Sequence, residues 1–307
     1  MDSLINSAPW VTRIGHEMTF MPKKKFSPEV KRAVIDGSDW NAQSQYDEHQ
    51  NESQKKLDML LSVAGIPYNA CYQDSEAIEV TSAPLESWKE FIAWNKSVRS
   101  AASKVKWTPE IDWLGGGMGH HHIDFQPPAV LDNLFRIVAE RPYLAWVFVH
   151  PSDKKNAVSL ASWYIDLCEM KNHPWWASSN SLAFRSDVFK NKYPLGRGNV
   201  LTIRNHGNTI EWRGFDAAVD MKMQVEHTAF LQALVGYAKR TAKTVKRAKL
   251  FTSNAEAKEV LHVHASSFKR CEKGFYELLK ILGLPKSRYE SYVETNLITR
   301  LEWKNAI

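Results

Sequence analysis

"VLTIRNHGNTIEWRGF", residues 200–215, separates one fold class from another. Two runs rich in β-branched and aromatic residues flank NHGN (205–208), the composition of a β-hairpin. A four-residue loop pairs Leu201 with Trp212, Thr202 with Glu211, Ile203 with Ile210, and Arg204 with Thr209. Side chains on a strand alternate between faces. One face therefore carries Leu201, Ile203, Ile210 and Trp212; the other carries Thr202, Arg204, Thr209, Glu211 and Arg213. The apolar face calls for helices to cover it. The polar face, a carboxylate between two guanidiniums, either meets solvent or lines a site.

Working outward, "RIGHEMTFM" (13–21) alternates as a strand, and "EAIEVTSAP" (76–84) reads as a strand stopped by Pro84. Residues 36–56 are polar and read as irregular. "KKLDMLLSVAG" (55–65) has helical spacing and ends at Gly65, a suitable C-cap. Helices are expected over 85–105, 128–141, 217–247 and most of 255–284. Strands and helices do not alternate as in a Rossmann fold or a TIM barrel, so the class is α+β. The expected division is a body over 1–250 and a helical C-terminal segment over 251–307.

The 307 residues are 44% hydrophobic with 12 Trp, enough for one large core or two moderate ones. The longest apolar run, "YLAWVFV" (143–149), falls far short of the roughly 20 residues of a membrane span. The first ten residues lack a basic-then-apolar signal layout. Cys71, Cys168 and Cys271 are too scattered for a disulfide framework or a metal knuckle. A cytoplasmic, reducing setting with no membrane is expected. The net charge is +6, with basic clusters at "MPKKKF" (21–26) and "AKRTAKTVKRAKL" (238–250). These read as solvated surface or as an attraction for polyanions. Nucleic acid is an admissible partner, but no zinc finger or aromatic RNP pattern supports it.

"GGGMGHHHIDF" (115–125) combines four glycines with three consecutive histidines. In a strand, His120, His122 and Asp124 share one face, and His121 and Ile123 the other. Glycine lets backbone approach a ligand closely, and two imidazoles at this spacing converge on one cation or one phosphoryl group. Three adjacent histidines have no evident packing rationale. Glu17 shares a strand face with Thr19, and Glu79 with Ala77 and Thr81. Oxygen ligands with one histidine suit Mg²⁺ or Mn²⁺ better than structural zinc.

The order of these motifs, G-x-E, then E-x-T-S-x-P, then G-G-x-G-H-x-H, then T-I-E-W-R-G-F-D, resembles the amidoligase family. These are carboxylate–amine ligases related to glutamine synthetase and glutamate–cysteine ligase, with bacterial and phage-encoded members. The likeness runs over about residues 13–240 as short motifs, and "TIEWRGFD" is its most specific match. It implies a curved antiparallel sheet of the glutamine synthetase catalytic type, packed with helices, holding ATP and Mg²⁺ or Mn²⁺ on its concave face. By position, Glu17, Glu79 and Glu211 are implied metal ligands, and His120 binds a metal or the nucleotide phosphates, with His122 beside it. Arg213 is implied to hold the transferring phosphoryl group, so Arg213 and Glu211 are the implied catalytic pair. Arg204 comes from the hairpin face alone, as a group for a substrate carboxylate or phosphate.

The implied chemistry joins a small-molecule or peptide carboxylate to an amine. ATP phosphorylates the carboxylate to an acyl phosphate, which the amine displaces; the protein positions groups and neutralises charge. One departure stands out. Such ligases commonly show G-x-E-x-E in the first strand, and Thr19 stands at the second position. This implies a weaker metal, a substitute ligand, or a ligase fold without activity that serves as a binding or structural protein. A metal-dependent hydrolase is the enzymatic alternative. H-x-H-x-D at 120–124 is similar to a metallo-β-lactamase motif, although Phe125 replaces its final histidine. A cupin reading wants a glutamate where Gln126 stands, and "HVH" (262–264) lies on an expected helix, where i and i+2 do not share a face. "NHPWW" (172–176) and the stretch over 184–198 read as an acceptor pocket, a lid, or plain surface loop.

Overall fold

The computed structural model describes residues 2–23, 26–74, 77–109, 119–145, 147–148, 201–204, 209–215, 217–242 and 267–297. In chain order the elements are α1 (Asp2–Ser7), β1 (Ile14–Pro22), α2 (Pro28–Asp36), α3 (Trp40–Val63), β2 (Tyr68–Asp74), β3 (Ala77–Ser82) and α4 (Trp88–Lys104). There follow β4 (Trp107–Thr108), β5 (His121–Asp124), α5 (Pro128–Ala139), β6 (Leu201–Arg204), β7 (Thr209–Trp212), α6 (Met221–Thr241) and α7 (Phe268–Leu282). Antiparallel strands with helices make the protein α+β. No helix among the described residues is long and apolar enough to cross a membrane.

The chain divides into two compact units. One comprises Arg13–His122 and Asp216–Gln224; the other comprises Met1–Thr12, Ile123–Phe215 and Val225–Ile307. In the first, the strand order is β2-β3-β1-β5, with β4 also on β1. Both β1–β3 and β2–β3 are antiparallel. Alternation gives this sheet one apolar face. His16, Met18 and Phe20 of β1 and Ile78 and Val80 of β3 are all buried. On this side lies α4, whose Phe91, Trp94 and Val98 are buried. Ser87 caps that helix by accepting from the Glu90 N–H. Arg99 of α4 donates to the carbonyls of Ala218, Val219 and Asp220 at 2.8–3.2 Å, which ties the 216–224 segment to this unit.

The region expected to be irregular, 36–56, is helical: α2 runs to Asp36 and α3 begins at Trp40. Asp39 Oδ1 caps α3 by accepting from the N–H groups of Asn41 and Ala42. The buried stripe of α3 is Ala42, Tyr46, Gln50, Ser53, Leu57 and Leu61. Its two polar members hide the helical period from a hydrophobicity reading. Gln50 sits buried because its amide donates to the Ala77 carbonyl at 2.7 Å, which satisfies the polar group that burial would otherwise penalise. Strand β2, also unforeseen, follows Gly65, which adopts φ 61° to end the helical turn.

In the second unit, β6 and β7 pair with the register expected from the sequence, from Leu201↔Trp212 to Arg204↔Thr209. Leu201, Ile210 and Trp212 are fully buried. An aromatic core surrounds Phe148, whose ring centroid lies 4.9 Å from Phe215 and 4.8 Å from Phe230. Helix α7 belongs to this core: Phe275 packs 5.8 Å from Phe148, and Tyr143 donates a hydrogen bond to the Gly274 carbonyl at 2.9 Å.

Candidate functional site

The polar face of the first unit's sheet is built by strand alternation. Glu17 and Thr19 of β1 lie opposite Thr81 and Glu79 of β3, respectively. On the far side of β3, Glu79 pairs with Tyr72 of β2. Three strands thus lay Tyr72, Glu79 and Thr19 in one row, with Glu17 and Thr81 in the next.

Strand β5 brings the histidines to Glu17. The Glu17 N–H donates to the His120 carbonyl at 3.0 Å. His120 Nδ1 then donates to Glu17 Oε2 at 2.7 Å, and His122 Nε2 to Glu17 Oε1 at 2.5 Å. Each carboxylate oxygen therefore holds one imidazole. Burial by itself pushes the Glu17 carboxyl up, but the hydrogen bonds from His120 and His122, with their charge, outweigh it. They hold the carboxyl well below the usual range, so Glu17 is ionised.

His121 corrects the expectation that three adjacent histidines lack a packing reason. It points to the apolar face, fully buried, with its ring 4.3 Å edge-on from that of His16. Its Nδ1–H donates to the Gly119 carbonyl at 2.9 Å. Burial pushes its pKa down to about 3, so it is a neutral core residue. The histidine run divides by strand parity into two site groups and one packing group.

In the second unit, Glu211 and Arg213 form an ion pair, Nη1 to Oε1 at 2.6 Å. The Glu211 side chain is 1% exposed and that of Arg213 12%. The polar side of this hairpin is therefore not open to solvent at Glu211. Such a carboxylate needs its guanidinium, because a buried charge without a partner is costly. Glu79 is likewise buried at 4% exposure and accepts from the Tyr72 hydroxyl.

The sequence-derived residues thus gather as Glu17 with His120 and His122, Glu79 opposite Thr19, and Glu211 with Arg213. The side chain of Arg204, the Gly115–Met118 stretch, the "NHGN" loop, "NHPWW", residues 184–198, Lys24, Lys25, residues 243–250 and "HVH" lie outside the described residues. Tyr72 was missed by sequence reading. Its strand, "YNACYQD", lacks alternation, and only pairing across to Glu79 makes the residue conspicuous.

No protein-family profile and no curated protein matches the chain. Among solved structures it is similar to an apo form of GmaS without ligand, with a TM-score of 0.48 and 13% identity, over 98% of this chain and 70% of that one. GmaS is a gamma-glutamylmethylamide synthetase, a glutamine synthetase-like ligase. A likeness of this size transfers neither fold nor activity to this chain.

Proposed function

We propose that the protein is an ATP-dependent carboxylate–amine ligase, with a sheet of the glutamine synthetase catalytic type and residues 1–250 as its catalytic part. The observation that carries this reading is the clasp of Glu17 by His120 and His122 on the polar sheet face, one row from Glu79. Supporting it is the order of family-like motifs, which converge on these same residues. The donor set is chemically suited to a hard divalent cation: carboxylates from neighbouring strands, threonine hydroxyls and imidazole. In this reading Glu17, Glu79 and His120 of the first unit hold Mg²⁺ or Mn²⁺. When bound, such a cation neutralises phosphate charge.

The residues themselves do the rest. His120 and His122 keep Glu17 ionised and oriented; the remaining nitrogen of His120 serves either the cation or a phosphate oxygen, and His122 stands beside it for the phosphates. Arg213, fixed by Glu211, presents a planar fork of donors suited to a phosphoryl group, and Arg204 is assigned to the nucleotide or to a substrate carboxylate. The substrates are a small-molecule or peptide carboxylate and an amine. The cytoplasm is the proposed compartment.

Thermal unfolding of the wild type, Glu17→Gln and Glu211→Gln tests the reading, with Mg²⁺–ATP, Mg²⁺ alone and Zn²⁺ alone. A ligand at a hundredfold excess over its Kd stabilises the native state by about 2.7 kcal/mol. The expected result is stabilisation of the wild type by Mg²⁺–ATP that both variants lose. A response to Zn²⁺ alone favours a hydrolase built on the H-x-H strand, and no response to either favours a binding protein without catalysis.

A further inference from the structure

The second unit contains a cleft of about 600 Å³ that the ligase reading leaves unused. The end of α5, the turn over Pro142–Ala145 and helix α7 line it. Near its start α7 contributes Lys269, Arg270 and Lys273, and further along Leu278 and Ile281; Glu140 and Arg141 line the cleft from the end of α5. Gly274 lets the turn close on the helix. A Cβ at this position would stand 2.8 Å from the Tyr143 ring, whose hydroxyl donates to the Gly274 carbonyl at 2.9 Å. The floor of the cleft is therefore preformed around a tyrosine that is 3% exposed, as small-ligand clefts generally are.

The lining holds four cations and two carboxylates, a net charge of +2. Both carboxylates are engaged. Glu140 pairs with Arg136 at 2.8 Å and with Arg141 at 3.3 Å, and Glu277 lies 3.9 Å from Lys273. Lys269 and Arg270 are exposed and make no ion pair among the described residues. A phosphate monoester carries about −1.5 to −2 near pH 7, which matches this surplus, whereas one carboxylate would leave half of it. Arginine offers phosphate oxygens a planar fork, and lysine a movable point charge. Beyond the cations the wall is apolar. Leu278 is 1% exposed, but Ile281 is 46% exposed, an isoleucine presented to solvent. Inorganic phosphate has no surface to set against these two side chains; an apolar organic body does. We propose that this cleft binds a phosphate monoester of a small organic molecule with an apolar body. Lys269 and Arg270 hold the phosphoryl oxygens, Lys273 supports them, and Leu278 and Ile281 cover the apolar part. This gives α7 a ligand-binding role, and it does not depend on the ligase reading.

The test is calorimetric titration of the full chain with 1-naphthyl phosphate, with inorganic phosphate and 1-naphthol as its two halves. The proteins are wild type, Lys269→Ala with Arg270→Ala, Ile281→Ser, Glu17→Gln, and Lys55→Ala with Lys56→Ala. Lys55 and Lys56 are an exposed adjacent pair on α3, so their removal makes the same change in net charge elsewhere. The wild type is expected to bind 1-naphthyl phosphate at one site, more tightly than either half. The Lys269/Arg270 double variant is expected to lose roughly tenfold or more in affinity, with an unchanged unfolding midpoint. Ile281→Ser is expected to weaken 1-naphthyl phosphate and leave inorganic phosphate unchanged. Glu17→Gln and the Lys55/Lys56 double variant are expected to bind as the wild type does. No heat from the wild type at millimolar probe overturns the proposal, as does undiminished affinity in the Lys269/Arg270 variant. An equal loss in the Lys55/Lys56 variant marks general charge attraction and overturns it. A loss confined to Glu17→Gln places the probe on the first unit's sheet instead, which overturns the proposal and leaves the ligase reading standing. Inorganic phosphate binding as tightly as 1-naphthyl phosphate removes the organic body and overturns it too.

Discussion

Glu17 and Glu211 solve one physical problem in two ways. Each is an acid on a strand with little exposure, and burial of an unpaired carboxylate is costly. In the first unit the solution is a pair of imidazoles, one on each oxygen of Glu17. In the second it includes the guanidinium of Arg213, one residue past the end of β7, on Glu211. Arginine keeps its charge across the accessible pH range, whereas imidazole exchanges both charge and lone pairs. The Glu17 clasp is therefore the exchangeable arrangement, suited to admitting a cation, and the Glu211–Arg213 pair is the permanent one.

The largest expected effect comes from breaking the permanent pair. Arg213→Ala strands a buried carboxylate and is expected to cost roughly 3–5 kcal/mol in urea unfolding at pH 7. Replacing both partners, as in Glu211→Leu with Arg213→Leu, is expected to recover most of that loss. A single-variant cost below about 1 kcal/mol would mean that the pair is not what satisfies Glu211. Arg213→Lys keeps the charge and loses the fork of donors; near-normal turnover in a ligase assay would remove Arg213 from the reaction.

Glu17→Gln is next, at roughly 2 kcal/mol near neutral pH, the scale of a charge-assisted hydrogen bond. Because the folded carboxyl lies below its unfolded value, its contribution is present above the unfolded pKa, about 4.3. It is lost as pH falls through the folded value. Glu17→Gln is therefore expected to flatten the acid limb of the stability curve below about pH 4.3. An unchanged limb would show that the clasp carries no charge in solution.

His121 sharpens the contrast from the other face. Its folded pKa, about 3, lies below that of an unfolded histidine. The unfolded chain takes up a proton first as pH falls from about 6.5. Stability therefore drops over that window by up to about 1.4 kcal/mol per pH unit, until the folded residue protonates as well. His121→Leu is expected to remove this slope, as read by urea midpoints between pH 7 and 4; persistence of the slope would assign it to another group. The smallest effect belongs away from either carboxylate. Asp39→Ala removes the cap of α3 and is expected to cost about 1 kcal/mol, setting the scale for a purely local change.

Legibility from sequence differed from element to element. The hairpin register was readable because a short loop with two strongly alternating flanks admits one pairing that buries Leu201, Ile210 and Trp212 together. The shared face of Glu17 and Thr19, and of His120 and His122, followed from the period of two. The first half of α3 was not readable, because Gln50 and Ser53 interrupt its apolar stripe, and Gln50 is made tolerable by a partner distant in sequence, the Ala77 carbonyl. Strand β2 was missed for a related reason: it has no hydrophobic alternation, and it exists as a strand through its pairing with β3.

By itself, the sequence determined which side chains share a face. Strand and helix periods are local properties of the backbone, and they sort Glu17, His120, His122, Glu211 and Arg213 onto polar faces without any knowledge of partners. Only the tertiary structure decided what each group touches. It set both imidazoles on one carboxylate, turned His121 inward against His16, and placed Tyr72 beside Glu79. Those contacts depend on which strands become neighbours and in what register, and that is fixed by burial summed over the whole sheet rather than by any one segment.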